Sequence, residues 1–209
     1  MAGQPRTASP PAIRLYDEPL LEEPRTYVVI GTPRGGTSLI GGLVRLCGLP
    51  FGEGLLDNHE DPAFNFEAIQ RSGQDPATTL RQTVRQRNAA HPVWGWKYPR
   101  ASRYLDAIRS DLRNPHLLVV LRDPVAAAGR HRGADGGRRS AIHLQHERQV
   151  VNVELMERWQ VPTLAISYER GVDQPVRLTR QIARFLGTPA PDKVRVREFV
   201  RPGTYQKIK

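Results

Sequence analysis

Apolar residues fall along this chain in short unbroken runs, separated by longer stretches in which they recur at helical spacing. Residues 27–30 (Tyr-Val-Val-Ile) and 116–121 (His-Leu-Leu-Val-Val-Leu) are apolar almost without interruption, which predicts strands buried on both faces of a sheet. Residues 92–97 and 161–168 read as two further strands. Between them the pattern predicts a helix over 37–47, stopped by Gly48-Leu-Pro50, and a mostly polar surface helix over 75–90 with Asp75 as cap and Pro76 in its first turn. Tyr104, Leu105, Ile108 and Leu112 repeat at helical spacing, and a helix begins at 126–129. A long helix follows over 141–159, with Leu144, Val151, Leu155 and Trp159 facing inward, and a last one over 175–186 closed by Gly187.

Strands and helices alternate, so the expected fold class is α/β: a three-layer, P-loop-like fold with a central parallel sheet flanked by helices. Residues 1–24, with five prolines among small and charged residues, read as a flexible lead-in, and 25–209 as a single domain. The segment 133–139 reads as a flexible basic loop and 194–209 as an edge strand that then unravels. Ligands in such folds bind at the carboxyl ends of the strands, and Gly31, Lys97, Arg122 and Glu169 all fall at predicted strand ends of that rim.

Charge and cysteine content narrow the picture. The formal net charge of +10 suits a polyanionic ligand such as a nucleotide, and equally nucleic acid or an acidic peptide. Regular basic and aromatic alternation is missing, so nucleic acid is not the expected partner. Cys47 is the only cysteine, which excludes an intrachain disulfide and a thiolate-built structural zinc site. No apolar run approaches the roughly 20 residues that span a bilayer, so a cytoplasmic protein without membrane attachment is expected.

The most informative stretch is Gly31-Thr-Pro-Arg-Gly-Gly-Thr-Ser38, a glycine turn between the first strand and its helix. Glycines let successive amides converge, and the helix behind them adds roughly half a positive charge, so the turn suits an anion. A triphosphatase loop would carry lysine after its last glycine. Here Gly36 is followed by Thr37 and Ser38, and the cation is Arg34 inside the turn. This spelling resembles the 5′-phosphosulfate loop, near G-x-P-R-S-G-T-T, of sulfotransferases that use 3′-phosphoadenosine-5′-phosphosulfate (PAPS), with Gly35 in place of the usual serine. The resemblance implies that Arg34, Gly35, Gly36, Thr37 and Ser38 hold the 5′-phosphate of PAPS or of its product PAP, with no metal ion required.

Three further segments carry the same resemblance. Arg122-Asp-Pro124 is similar to the family's 3′-phosphate motif, an R-x-P with a serine six residues on, where this chain has Arg130. An arginine there offers bidentate phosphate contact in place of a hydroxyl; the competing reading makes Arg122 a strand-end partner of Asp123. Trp94-Gly-Trp-Lys97-Tyr-Pro-Arg100 resembles W-G-x-K-x-P-R, which implies that Lys97 meets the sulfuryl oxygens. Asn58 to Glu67 resembles Asn-Pro-x-Gly-(aromatic)-(aromatic)-Glu without its glycine and puts Glu67 forward as the base, its pKa raised by desolvation beside Phe64 and Phe66, with Glu60 and His59 behind it. The expected activity is transfer of a sulfuryl group from PAPS to a hydroxyl or amine of a small-molecule or peptide acceptor, with Glu67, Lys97 and Arg34 catalytic. A P-loop kinase is the alternative, weakened by the missing loop lysine and by arginine after Leu121, and a non-catalytic PAPS- or nucleic-acid-binding protein is another. The acidic residues Glu53, Asp57, Glu60 and Asp61 hint at a cationic or polar acceptor.

Overall fold

The computed structural model describes residues 9–16, 23–129 and 135–201. They build a five-stranded sheet from β1 (Ala12–Leu15), β2 (Arg25–Ile30), β3 (Val93–Lys97), β4 (Pro115–Leu121) and β5 (Thr163–Ser167), in the order β1-β5-β4-β2-β3. β2, β3, β4 and β5 are parallel, and β1 runs antiparallel along β5. The helices are α1 (Thr37–Leu46), α2 (Phe66–Arg71), α3 (Pro76–Ala90), α4 (Leu105–Ile108), α5 (Pro124–Ala128), α6 (Asp135–Trp159), α7 (Tyr168–Asp173), α8 (Pro175–Leu186) and α9 (Lys193–Val200).

Alternate strand residues serve opposite faces, as the pleat requires. Tyr27, Val29, Leu118 and Val120 pack with α1, α8 and α9, while Val28, Ile30, Leu117 and Val119 pack with Trp94, Trp96, α3, α4 and the end of α6. Every residue of β2 is buried, which explains its unbroken apolar run and puts its carboxyl end at the middle of the rim. This is the three-layer α/β fold the alternation predicts. No helix among the described residues is long and apolar enough to cross a membrane.

Three expectations change. Residues 12–15, inside the stretch read as a flexible lead-in, form β1, because β5 offers an open edge and Ala12 tucks into the core at 4% exposure. The stretch expected as a C-terminal edge strand is instead α9: Asp192 caps it by accepting from the Val194 and Arg195 amides at 2.7 and 3.4 Å, and Val196 and Phe199, three apart, are buried. Val194, two positions before Val196, is exposed, so the buried positions follow a helical step and not a strand's period of two. Finally, α6 begins at Asp135, so most of the expected basic loop is helix, and Leu144 and Val151 are 42% and 46% exposed rather than inward. The inward positions beside them, Gln145 and Asn152, are polar and belong to the site.

Candidate active site

The glycine turn is shaped by close approaches on three sides. A side chain at Gly31 would start 2.7 Å from Thr37 Cγ2 and 2.9 Å from the Val120 carbonyl oxygen, so the chain leaves β2 between β4 and α1 only as glycine. The Gly35 amide donates to the Thr32 carbonyl at 2.8 Å, closing a turn whose residues Arg34 and Gly36 have φ of 66° and 88°. Gly36 lies against the ring of Tyr168, 2.0 Å from where a Cβ would stand, and at Gly35 the space of the family serine is filled by Thr32 Oγ1, 2.6 Å from the corresponding point. Gly36 is the N-cap of α1 and supplies no side-chain cap, and of the first-turn amides that of Leu39 donates to the Gly36 carbonyl at 3.1 Å.

This helix start borders a cavity of about 350 Å³ walled by Arg34, Gly36, Thr37 and Ser38, by Asn58 and Glu60, by the segment Lys97 to Arg100, and by Tyr168. Lys97 is fully buried, with Nζ 2.8 Å from Glu60 Oε1. Burial lowers its pKa, and the attraction and hydrogen bond of Glu60 only partly oppose this. Its stem passes α1 at Gly41, where a Cβ would stand 3.3 Å from Lys97 Cγ. The residue after Glu60, Asp61, has a buried side chain that accepts from the Ala63 amide and pairs with Arg87 Nη2 at 3.1 Å, and burial raises its pKa. These two carboxylates are therefore matched internally.

Glu67 occupies a different place. Its carboxylate accepts from the Tyr98 hydroxyl, from Arg100 Nη1 at 2.7 Å and from Arg103 Nη1 at 3.0 Å. Desolvation would raise its pKa, but the Tyr98 bond and the two guanidinium groups outweigh it, and the shift is downward. This reverses the rise expected from Phe64 and Phe66, whose rings stack on Trp96 and Tyr104 instead. His59, at 1% exposure, meets Arg45 Nη1 through Nδ1 at 3.0 Å and sits behind α1 against Phe199, outside the cavity wall.

Arg122 reaches the back of the turn. Nη1 donates to the Arg34 carbonyl oxygen at 2.7 Å, Nε is 3.6 Å from Glu169 Oε1, and the guanidinium lies 4.4 Å over the Tyr168 ring. The pairing with Asp123 does not form, because that carboxylate caps α5 through the Val125 amide at 2.8 Å. Nη2 of Arg122 makes no hydrogen bond among the described residues. Arg130 lies outside the described residues.

Polar residues on α6 complete the site. Gln145 Nε2 donates to the Pro33 carbonyl and Asn152 Nδ2 to the Gly31 carbonyl, both at 2.9 Å, and Gln149 Oε1 accepts from the Arg122 amide at 2.9 Å. These positions, 145, 149 and 152, continue the stripe of the buried Met156 and Trp159 back by helical steps. That phase is the signal in the sequence; reading polar residues as outward hides it.

No protein-family model matches the chain, and no curated protein matches its sequence. Among solved structures, it is similar to the sulfotransferase domain of the Synechococcus PCC 7002 olefin synthase, with a TM-score of 0.53 and 17% identity over 90% of this chain and 81% of that one. Sulfotransferase STF9 from Mycobacterium avium gives a TM-score of 0.53 at 15% identity, over 85% of this chain and 68% of that one. The chain thus has the fold of these bacterial sulfotransferases.

Proposed function

We propose that this chain is a PAPS-dependent sulfotransferase acting on a hydroxyl or amine of a small-molecule or peptide acceptor. The observation that carries the reading is the meeting of two features in one cavity: an uncapped glycine turn without the triphosphatase lysine, and the buried Lys97 paired with Glu60. The turn fits a phosphosulfate, since Gly36, Thr37 and Ser38 line the cavity with backbone and hydroxyl donors of their own and Arg34 adds the cation. PAPS brings a sulfuryl group already activated for transfer.

The chain's own residues then have separable tasks. The turn holds the 5′-phosphate and stabilises the charge that develops as its bridging oxygen departs. Arg122, fixed by Arg34 and Tyr168, offers Nη2 to the 3′-phosphate. Lys97, whose burial makes its ammonium a better proton donor, neutralises the transferring oxygens. Glu60 takes the acceptor's proton as sulfur forms its new bond to the acceptor oxygen or nitrogen and its bond to the phosphate oxygen breaks, leaving PAP. Glu60 is assigned this task in place of Glu67 because it lines the cavity, whereas both oxygens of Glu67 are engaged and its pKa is lowered.

The experiment is a thermal melt with PAP or ATP-magnesium, followed by incubation with PAPS and a panel of hydroxyl and amine compounds read by mass spectrometry. PAP at about 100 times its Kd is expected to stabilise the fold by roughly 2.7 kcal/mol. Stabilisation by ATP-magnesium and none by PAP would overturn the assignment.

A further inference from the structure

Beyond the wall formed by Pro33 and Arg100 lies a second cavity, of about 320 Å³, that the proposed transfer does not use. It is lined by Gly31 and Pro33 from the turn, Arg100, Ser102 and Arg103 from the segment after β3, and Arg148 from α6. Two segments distant in sequence, the one after β3 and α6, thus bring three arginines to one space beside the turn.

The local charge is unbalanced. Glu67 is the carboxylate that meets this cluster, and Arg100 and Arg103 share its Oε1 at 2.7 and 3.0 Å. Arg148 has no hydrogen bond or ion pair among the described residues, and Arg100 and Arg103 are the charges that act on it. Burial, then repulsion from these two, lowers its pKa, which is the response of a cation lacking an anion. Three guanidinium groups against one carboxylate leave an excess positive charge of two beside the phosphate turn. Arg100 and Arg103 are part-exposed and would be free to disperse, yet they are held in place by Glu67 and by the Phe66 ring under Arg103 at 5.6 Å, and Arg148 is carried by α6.

We propose that the Arg100–Arg103–Arg148 cavity is an anion subsite that receives an acidic group, a carboxylate or a phosphate, of the sulfuryl acceptor. This rests on the sulfotransferase reading and narrows its acceptor to anionic molecules. It replaces the cationic acceptor suggested by the acidic run before Phe64, because Glu60 and Asp61 of that run are matched to Lys97 and Arg87. The donor's two phosphates are accounted for by the turn and Arg122, and Arg100 belongs to the walls of both cavities, so one acceptor can reach across.

The test uses the full chain and Arg148→Gln, a substitution on a half-buried helix position that keeps a polar, helix-compatible side chain and removes the charge. Inorganic phosphate is titrated into each protein, alone and with saturating PAP, while affinities for PAP and adenosine 5′-phosphate are measured by calorimetry. The wild type is expected to bind phosphate on top of PAP, and Arg148→Gln to weaken that binding about tenfold with the ratio of PAP to adenosine 5′-phosphate affinity unchanged. Phosphate binding that is absent on top of PAP, or equal in the two proteins, overturns the subsite. A fall in the nucleotide ratio in Arg148→Gln also overturns it, by giving the cluster to the donor's second phosphate. If PAP does not bind, the sulfotransferase reading fails by itself; the phosphate titration without PAP, compared between the two proteins, then still decides whether the cavity takes anions.

Discussion

Arg122 Nη1 donates to the main-chain oxygen of Arg34 at 2.7 Å, joining the end of β4 to the tip of the glycine turn across 88 positions of sequence. The contact holds the turn in the left-handed conformation that Arg34 adopts at φ 66° and orients the Arg122 guanidinium over Tyr168. Arg122→Ala is therefore expected to weaken nucleotide binding generally, through the turn, and PAP in particular, through the 3′-phosphate. The expected loss for PAP is about tenfold greater than for adenosine 5′-phosphate, a difference of ~1.4 kcal/mol by calorimetry. Equal losses for the two nucleotides would confine Arg122 to bracing the turn.

The two glutamates separate by turnover. Glu60→Gln keeps the size of the side chain and a hydrogen-bonding partner for Lys97, so PAP binding should stay near normal while kcat falls about 10²–10⁴-fold. Glu67→Gln should cost thermal stability, since it weakens the contacts with Arg100 and Arg103, and reduce kcat far less. A Glu67→Gln enzyme that folds and binds PAP but does not turn over, beside an active Glu60→Gln enzyme, would return the base to Glu67.

Acid stability should follow Glu67. Its pKa in the fold lies below the ordinary 4.5, so the folded state favours the charged carboxylate and gains stability that is present above that value. That gain is lost as pH falls through the lowered folded value. Denaturant melts from pH 6 downward should show the wild type losing more stability below about pH 4.5 than Glu67→Gln does; parallel curves would contradict the downward shift.

The rim was readable because its residues follow strand runs that periodicity identifies: Gly31, Lys97 and Arg122 stand directly after or at the end of β2, β3 and β4, and Glu169 just beyond β5. The partners of those residues were not readable. Nothing local tells that Lys97 is matched by Glu60 while Glu67 is matched by two arginines, because the first pairing crosses from the loop before α2 to the end of β3 and the second from α2 to the segment after β3. Desolvation beside Phe64 and Phe66 was a sound local argument for Glu67, defeated by the more distant Arg100 and Arg103. The tail failed for a different reason: Val194 and Val196 alternate as in a strand, but only burial of Val196 with Phe199 selects α9.

Asn152 offers the sharpest test of how α6 supports the turn. It is 1% exposed, and its Nδ2 donates to the Gly31 carbonyl at 2.9 Å at the point where the chain leaves β2. Replacing it with leucine keeps comparable volume but leaves that buried carbonyl without its donor, which costs about 1–3 kcal/mol. Stability alone would not distinguish support of the turn from ordinary packing, so nucleotide affinity is the second measurement. Asn152→Leu is expected to lower the affinity for PAP and for adenosine 5′-phosphate by the same factor, about tenfold, because the disturbance lies at the 5′-phosphate turn and not at Arg122. Asn152→Asp removes the donating amide as well and puts a carboxylate against the carbonyl oxygen, so it should be at least as damaging as leucine. A protein destabilised by either change that still binds both nucleotides with wild-type affinity would show that the turn holds its shape without α6.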